Sequence, residues 1–519
     1  MIWLTRPLGV ALTSVLLASA LTLPTGVAHA ADPIPRPHQD SFYADPPAMA
    51  AARPGAVLRS RSITATVAAA VPITATQLLY RSQDELGRPS STVTTVIAPL
   101  GAITGVVTYL SFYDALGDIC APSYTLRGGD AGTAANNQQA QIESTLIAAL
   151  VAQGYAVTVP DFEGKKSHWV AGHESGWNTL DAVRATEAHL GLPATTKVGL
   201  VGYSGGSIGG EWAAELAPTY APELTIAGTA IGGIPVDLAH NLAYVNGSTT
   251  WSGVIPAAIV ALGRAFDADL RHYLSPYGAK VTAAVADQCI GSFNGAYPGL
   301  TVQQLVKPAY ADFLHIPVIT RIVNRLIMGS APGHPTSPML MAVGNADGTG
   351  DNVMIVKDVQ ALAHQYCGQG VPVNLSVIEG ADHTAAALAF FSAALPWLAA
   401  RMAGLPTVGA CSSIPVGNSL APIALKRLAV SPTLKVTDRG RKRDALHVAA
   451  GIDAAVAVVR LYRFKHGHRV LIRSVRLDAR GARTVAVRDR NGRARTRYLA
   501  IVAPTADTVG AKTKSVAHR

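Results

Sequence analysis

Lys197-Val198-Gly199-Leu200-Val201-Gly202-Tyr203-Ser204-Gly205-Gly206, followed by Ser207-Ile208-Gly209-Gly210-Glu211-Trp212-Ala213-Ala214-Glu215-Leu216, decides the fold. The first five residues read as a short apolar strand, and residues 208–217 read as a helix. Between them lies G-x-S-x-G, the nucleophile-elbow pattern. Each position has a reason. Ser204 must sit on a tight, strained turn so that its Oγ stands clear of the sheet. Small flanking residues let strand and helix approach. The N–H of Gly205 then points at the oxyanion of an acyl-transfer intermediate. The bare pattern is weak in a chain with 48 glycines, and its strand–turn–helix setting makes it count.

Outward from the elbow, further apolar runs at 105–110, 155–159, 224–228, 339–343 and 373–378 read as strands separated by helical stretches, one of them at 137–153. Continuous apolar strands alternating with helices predict a parallel sheet covered on both faces. The rhythm stops between about 235 and 332, where apolar helical patches alternate with Gly and Pro. An insertion of that size between core strands predicts a cap or lid. Residues 31 to about 75 are rich in Pro and Ala and read as an extended arm.

Composition divides the chain. It carries 43 Lys+Arg and 33 Asp+Glu, a net charge of +10. Residues 416–519 hold 23 of the basic residues and six Asp, a net +17, which leaves −7 for the rest. Alternating runs at 455–460, 469–473, 484–487 and 498–502, with Asn491-Gly492 as a hairpin signal, predict a small basic all-β domain over 416–519. Its charge would suit anionic lipid or wall polymers, and no recognised nucleic-acid motif accompanies it. Residues 1–30 have a basic start, an apolar run and Ala28-His29-Ala30, a signal peptide expected to be cut after Ala30. In an exported chain four cysteines, Cys120, Cys289, Cys367 and Cys411, imply two disulfides with three pairings open. No C-x-x-C pair supports metal binding.

A serine nucleophile needs a base held by an acid, and on an elbow of this kind the chain order is Ser, acid, His. His383, in Glu379-Gly380-Ala381-Asp382-His383-Thr384 just after a strand, is the best-placed histidine. His364 reads as a surface helix residue, and His173 precedes the serine. Two carboxylates, Asp347 and Asp351, compete for the acid in the loop after 339–343.

Taken together these segments resemble the secretory lipase family, of lipase A type, with the α/β-hydrolase fold. The resemblance is carried by Asp114 with Cys120-Ala121-Pro122-Ser123-Tyr124, Asp161-Phe162-Glu163-Gly164, the elbow, Gly232-Gly233-Ile234-Pro235-Val236, Asp351-Asn352-Val353 and Asp382-His383-Thr384-Ala385. It covers roughly residues 76–413. It implies a catalytic domain over 31–415, a Ser204–His383–Asp351 triad with Asp347 as the alternative acid, and an oxyanion hole from the N–H groups of Asp114 and Gly205. It also implies Cys120–Cys289 and Cys367–Cys411 disulfides, a lid over an acyl-binding tunnel, and ester or triacylglycerol hydrolysis with no cofactor and no metal. Two other readings stand beside it: a peptidase or other acyl hydrolase on the same scaffold, and a polyanion-binding surface protein with an inactive hydrolase core.

Overall fold

The computed structural model describes residues 34–129, 143–440, 442–489 and 494–519. The expected signal peptide, with its cleavage point, lies outside the described residues, as do Asn491-Gly492 and the start of the expected 137–153 helix.

Nine strands form the main sheet: β1 (Val57–Ser62), β2 (Ile73–Gln83), β3 (Pro89–Pro99), β4 (Gly105–Leu110), β5 (Tyr155–Pro160), β6 (Lys197–Tyr203), β7 (Thr225–Gly232), β8 (Met339–Asn345) and β9 (Val373–Glu379). Their spatial order is 1-2-3-5-4-6-7-8-9. The pairs from β5 through β9 are parallel, while β1, β2 and β3 add on antiparallel. β4 and β5 are buried along their whole length, as strands with helices on both faces must be. The sequence reading found the six parallel strands and missed β1–β3. Buried Ser91, Thr94 and Thr95 give β3 a polar composition that hides it.

The helices are α1 (Ser144–Ala152), α2 (Gly172–Leu190), α3 (Gly205–Tyr220), α4 (Leu238–Val245), α5 (Val254–Ala265), α6 (Pro276–Val285), α7 (Pro317–Arg325), α8 (Val356–Gly368) and α9 (His383–Met402), besides single turns. β6 shows how they are divided. Val198 and Leu200 pack with Val183 of α2, Trp212 of α3 and Leu362 of α8. Val201 and Tyr203 point the other way, toward Ile147 of α1 and Phe390 of α9. The alternation follows from the two-residue period of a strand. Helices α4–α7 all fall between β7 and β8, within the expected cap. The N-terminal arm lies against the sheet's surroundings, with Tyr43 Oη 2.9 Å from Ser123 Oγ and Asp40 paired to Arg61 and Arg127.

The C-terminal segment is all β. It holds β10 (Thr433–Asp438), β11 (Arg443–Ala449), β12 (Val458–Lys465), β13 (His468–Arg476), β14 (Ala482–Arg488), β15 (Thr496–Val502), β16 (Ala511–Lys512) and β17 (Val516–His518). One sheet runs β10-β11-β14 and the other β13-β12-β15-β16, with β17 on β15. Leu446, Val448, Val459, Leu461 and Tyr498 fill a core of their own. Two expectations need correction. The strand expected at 455–460 runs from 458 to 465, because a tight turn at Ile452–Ala454 precedes it and buries Ala454 and Ala457. The expected hairpin around Asn491-Gly492 is absent as a pairing, since β14 and β15 lie in different sheets and both sheets share the core.

This β segment touches the helical insertion. Arg321 of α7 forms two hydrogen bonds to the Asp507 carboxylate, at 2.6 and 2.8 Å. Tyr310 Oη donates to Asp453 at 2.7 Å, and Asn324 exchanges two hydrogen bonds with the Ile423 backbone.

Candidate active site

Ser204 ends β6 and starts α3, with φ 54° and ψ −123°. Such a backbone costs a non-glycine residue on the order of 1–3 kcal/mol and persists only where the surroundings impose it. They do so here. A Cβ on Gly206 would lie 2.0 Å from the Leu110 carbonyl oxygen, and one on Gly202 would lie 2.4 Å from that of Gly206. Strand and helix are therefore too close for any side chain at either position. The Ser204 N–H donates to the Gly232 carbonyl at 2.9 Å, which ties the turn to β7.

His383 is the first residue of α9, and Asp382 caps that helix by accepting from the Ala385 N–H at 2.8 Å. The imidazole reaches both partners: Nε2 is 2.8 Å from Ser204 Oγ and Nδ1 is 2.7 Å from Asp351 Oδ2. The other carboxylate oxygen of Asp351 accepts from the Val353 and Met354 N–H groups at 3.1 and 2.7 Å. The Asp351 carbonyl also accepts from the His383 N–H at 2.9 Å. Asp351 is fully buried, so every acceptor it offers is directed by the protein. Asp347 is not brought to the histidine. Its carboxylate accepts from the Thr349 and Gly350 N–H groups and from Tyr244, and it shapes the exposed turn before Asp351. The His173 ring lies tilted against Trp212 with centroids 4.3 Å apart, and His364 lies near the Ile414 carbonyl; neither meets Ser204.

Asp114 stands over Gly205 with φ 34°. A Cβ on Gly205 would fall 1.7 Å from Asp114 Oδ1, so a side chain at position 205 would push that carboxyl out of its place beside Trp169. As the first residue of α3, Gly205 has an N–H with no acceptor inside the helix, and the helix dipole adds positive potential there. Burial pushes the Asp114 carboxyl up to about 6, against a hydrogen bond from Trp169 Nε1 at 2.7 Å and the nearby His383, which both act to lower it. The Asp114 loop is held by the Ile290 N–H, which donates to the Asp114 carbonyl, and by the Cys120–Cys289 disulfide beside it. The second disulfide joins Cys367 at the end of α8 to Cys411.

Three supporting residues escaped the sequence reading. Trp169 orients Asp114, Tyr203 donates to the His383 carbonyl at 2.7 Å, and Trp251 from the insertion meets the His383 ring edge-on at 5.1 Å. Only Tyr203, inside the elbow, had a positional signal.

Above Ser204 opens an apolar cavity. Apart from Asp114, Ser204, Asn241 and two indoles, its wall is aliphatic or aromatic, with Leu238, Ile255, Ile259 and Val323 supplied by helices α4, α5 and α7. The pocket therefore rewards a long apolar group placed next to a polar reacting end. Among the described residues the one group with metal-ligand spacing, Asp438, Asp444 and His518, lies in the C-terminal sheets. All three members already have partners: Asp444 accepts from Tyr498 Oη, and His518 Nε2 lies 3.1 Å from Asp438 Oδ1.

The family model for secretory lipases matches residues 130–410. The chain belongs to the secretory lipase family. This secretory lipase is 31% identical over 424 residues to a Mycobacterium tuberculosis protein named a probable inactive lipase, covering 79% of this chain and 93% of that one. It is 30% identical over 407 residues to a secreted triacylglycerol lipase of Malassezia globosa, covering 74% and 85%. Among solved structures, lipase A of Candida antarctica in its closed state superposes with a TM-score of 0.67 at 27% identity, over 74% of this chain and 91% of that one. The fold is the α/β-hydrolase fold, and the lipase is a serine hydrolase of lipase/esterase type.

Proposed function

We propose that this secretory lipase is catalytically active and hydrolyses carboxylic esters of apolar acyl chains, triacylglycerols among them, through Ser204, His383 and Asp351. The observation that carries the reading is the unbroken hydrogen-bonded series from Ser204 Oγ through the imidazole to Asp351, opening into an apolar cavity.

His383 Nε2 takes the Ser204 proton as Oγ adds to the ester carbonyl carbon. Asp351 fixes the Nδ1–H tautomer and stabilises the imidazolium. The oxyanion accepts from the N–H groups of Gly205 and Asp114. When the tetrahedral intermediate collapses, the C–O bond to the alcohol breaks and the imidazolium gives the alkoxide its proton. Water then attacks the acyl-enzyme, His383 receiving its proton and returning it to Ser204 as the fatty acid departs. No step needs a metal or cofactor.

The same reading makes the 235–332 insertion a lid, because its helices build much of the cavity wall. It makes 31–415 the catalytic domain and 416–519 a separate basic domain, because the latter has its own core and charge. Export after cleavage at Ala30 would place the enzyme outside the cell. The basic domain would attach it to an anionic surface.

Initial rates on nitrophenyl butyrate, nitrophenyl palmitate and emulsified trioctanoylglycerol, beside a peptide nitroanilide, test the proposal. We expect ester turnover, loss of about 10⁵–10⁶ in kcat for Ser204→Ala, and no peptide cleavage. A wild-type protein without ester turnover would instead favour the inactive core suggested by the mycobacterial relative's name.

A further inference from the structure

The outer face of the C-terminal sheet that holds β12, β13 and β15 brings apolar and basic side chains together. β12 alternates, with Val459 and Leu461 entering the core and Arg460, Tyr462 and Phe464 pointing away from it. Cross-strand register places Leu471 of β13 opposite Tyr462, and Arg469 opposite Phe464. Directly paired residues share a side of the sheet. On β15, Tyr498 and Ala500 enter the core, which puts Arg497 on the outer side as well. Leu471 is 51% exposed, and Tyr462 and Phe464 are half-buried. The Arg469 guanidinium lies 5.9 Å over the Tyr462 ring and that of Arg497 lies 4.8 Å over Phe464. Strands β12, β13 and β15 contain seven Lys or Arg and no Asp or Glu. β13 is an edge strand, and it joins β12 through His466 and Gly467, both at positive φ, so the pair projects as a tight hairpin.

We infer that this face is a membrane anchor: its aromatic and aliphatic side chains enter the headgroup layer of an anionic lipid surface while the flanking arginines pair with lipid phosphates. Charge alone would fit any polyanion. The apolar component selects lipid, since a polyphosphate or wall polymer gives exposed Leu471 and the aromatic rings nothing to enter. Aromatic rings beside cations match the chemistry of the interfacial layer, where one end of a side chain is apolar and the other wet. The net +17 of residues 416–519 supplies long-range attraction to such a surface.

The test uses the full chain and vesicles of ether-linked lipids, which offer no ester to cleave. One set is neutral phosphatidylcholine, and the other is equal parts phosphatidylcholine and phosphatidylglycerol. Wild type is expected to co-sediment with the anionic vesicles about a hundredfold more tightly than with neutral ones, and to release as salt is raised. The triple change R460Q/R469Q/R497Q should weaken vesicle binding about a hundredfold, roughly fivefold per charge. R480Q/R483Q/R488Q, the same charge change on exposed positions at β14, should weaken it less than tenfold. F464S/L471S should lose about tenfold or more on vesicles with binding to long-chain polyphosphate unchanged. Equal losses for the two arginine triples, or wild-type vesicle binding by F464S/L471S, would overturn the inference. So would polyphosphate binding by wild type as tight as its vesicle binding. Because vesicle binding is read without ester turnover, its failure leaves the Ser204 reading untouched, and S204A should bind as wild type does.

Discussion

Replacing Asp351 by Asn tests the site through its least tolerant hydrogen bonds. One carboxylate oxygen accepts two backbone N–H groups, from Val353 and Met354, and the other faces His383 Nδ1 at 2.7 Å. An asparagine has one acceptor oxygen and one donor group. Turning its NH₂ toward the two backbone donors would oppose like groups at a fully buried position, at about 1–3 kcal/mol for each group left unpaired. Its oxygen must therefore stay with the backbone, and its NH₂ must donate to Nδ1. That fixes the imidazole with its proton on Nε2, the atom that has to accept from Ser204. The fold survives, but the base is lost. Wrong-tautomer substitution of this kind costs about 10⁴ in kcat, or about 5 kcal/mol of transition-state stabilisation. Asp347→Asn, in the exposed turn, should change kcat less than twofold. Initial rates on nitrophenyl butyrate, with circular dichroism to confirm folding, measure both. A folded D351N enzyme keeping a tenth of wild-type kcat would refute the reasoning, as would the large loss falling on D347N.

Glu143 offers a stability test. Burial pushes its carboxyl up to about 8, against hydrogen bonds from Ser111 and Tyr109. The folded state thus holds this proton more tightly than the unfolded chain does. The resulting stability is fully present below about pH 4.5 and is lost as pH rises through about 8. Asp161, pushed up to about 7 by burial, acts in the same direction. Scanning calorimetry should show the wild-type Tm falling from pH 5 to pH 9, a smaller fall for Glu143→Gln, and equal values near pH 5. Parallel curves would contradict the assignment. In the cavity, Val323→Trp fills space along α7. Relative to butyrate, each methylene that no longer finds room should cost about fourfold in kcat/KM, so nitrophenyl palmitate suffers most. Equal losses across a chain-length series would show that the cavity does not hold the acyl chain.

Much of this was legible in the sequence because the parallel strands are continuous apolar runs and the elbow is a local steric necessity. Gly202, Ser204 and Gly206 are adjacent in the chain, and the contacts that require them, with Leu110 and with each other, follow from strand–helix closeness. His383 and Asp351 were legible as loop residues after strands. Choosing Asp351 over Asp347 was not legible from the residues, because the two differ in direction, a consequence of how the loop folds back on His383. The supports were hidden for a similar reason. Trp169 and Trp251 act across 55 and 132 residues of chain, and no local pattern encodes such contacts. The C-terminal hairpin was misjudged because Asn-Gly reports a turn and says nothing of which sheet receives the next strand.

The most direct measurement is covalent labelling with a fluorophosphonate ester, followed by mass spectrometry of the digested protein. The account predicts one label per chain, on the peptide containing Ser204, with labelling abolished in S204A and slowed about 10⁴-fold in D351N. A folded wild-type protein that stays unlabelled, or that carries the label on another serine, would contradict it.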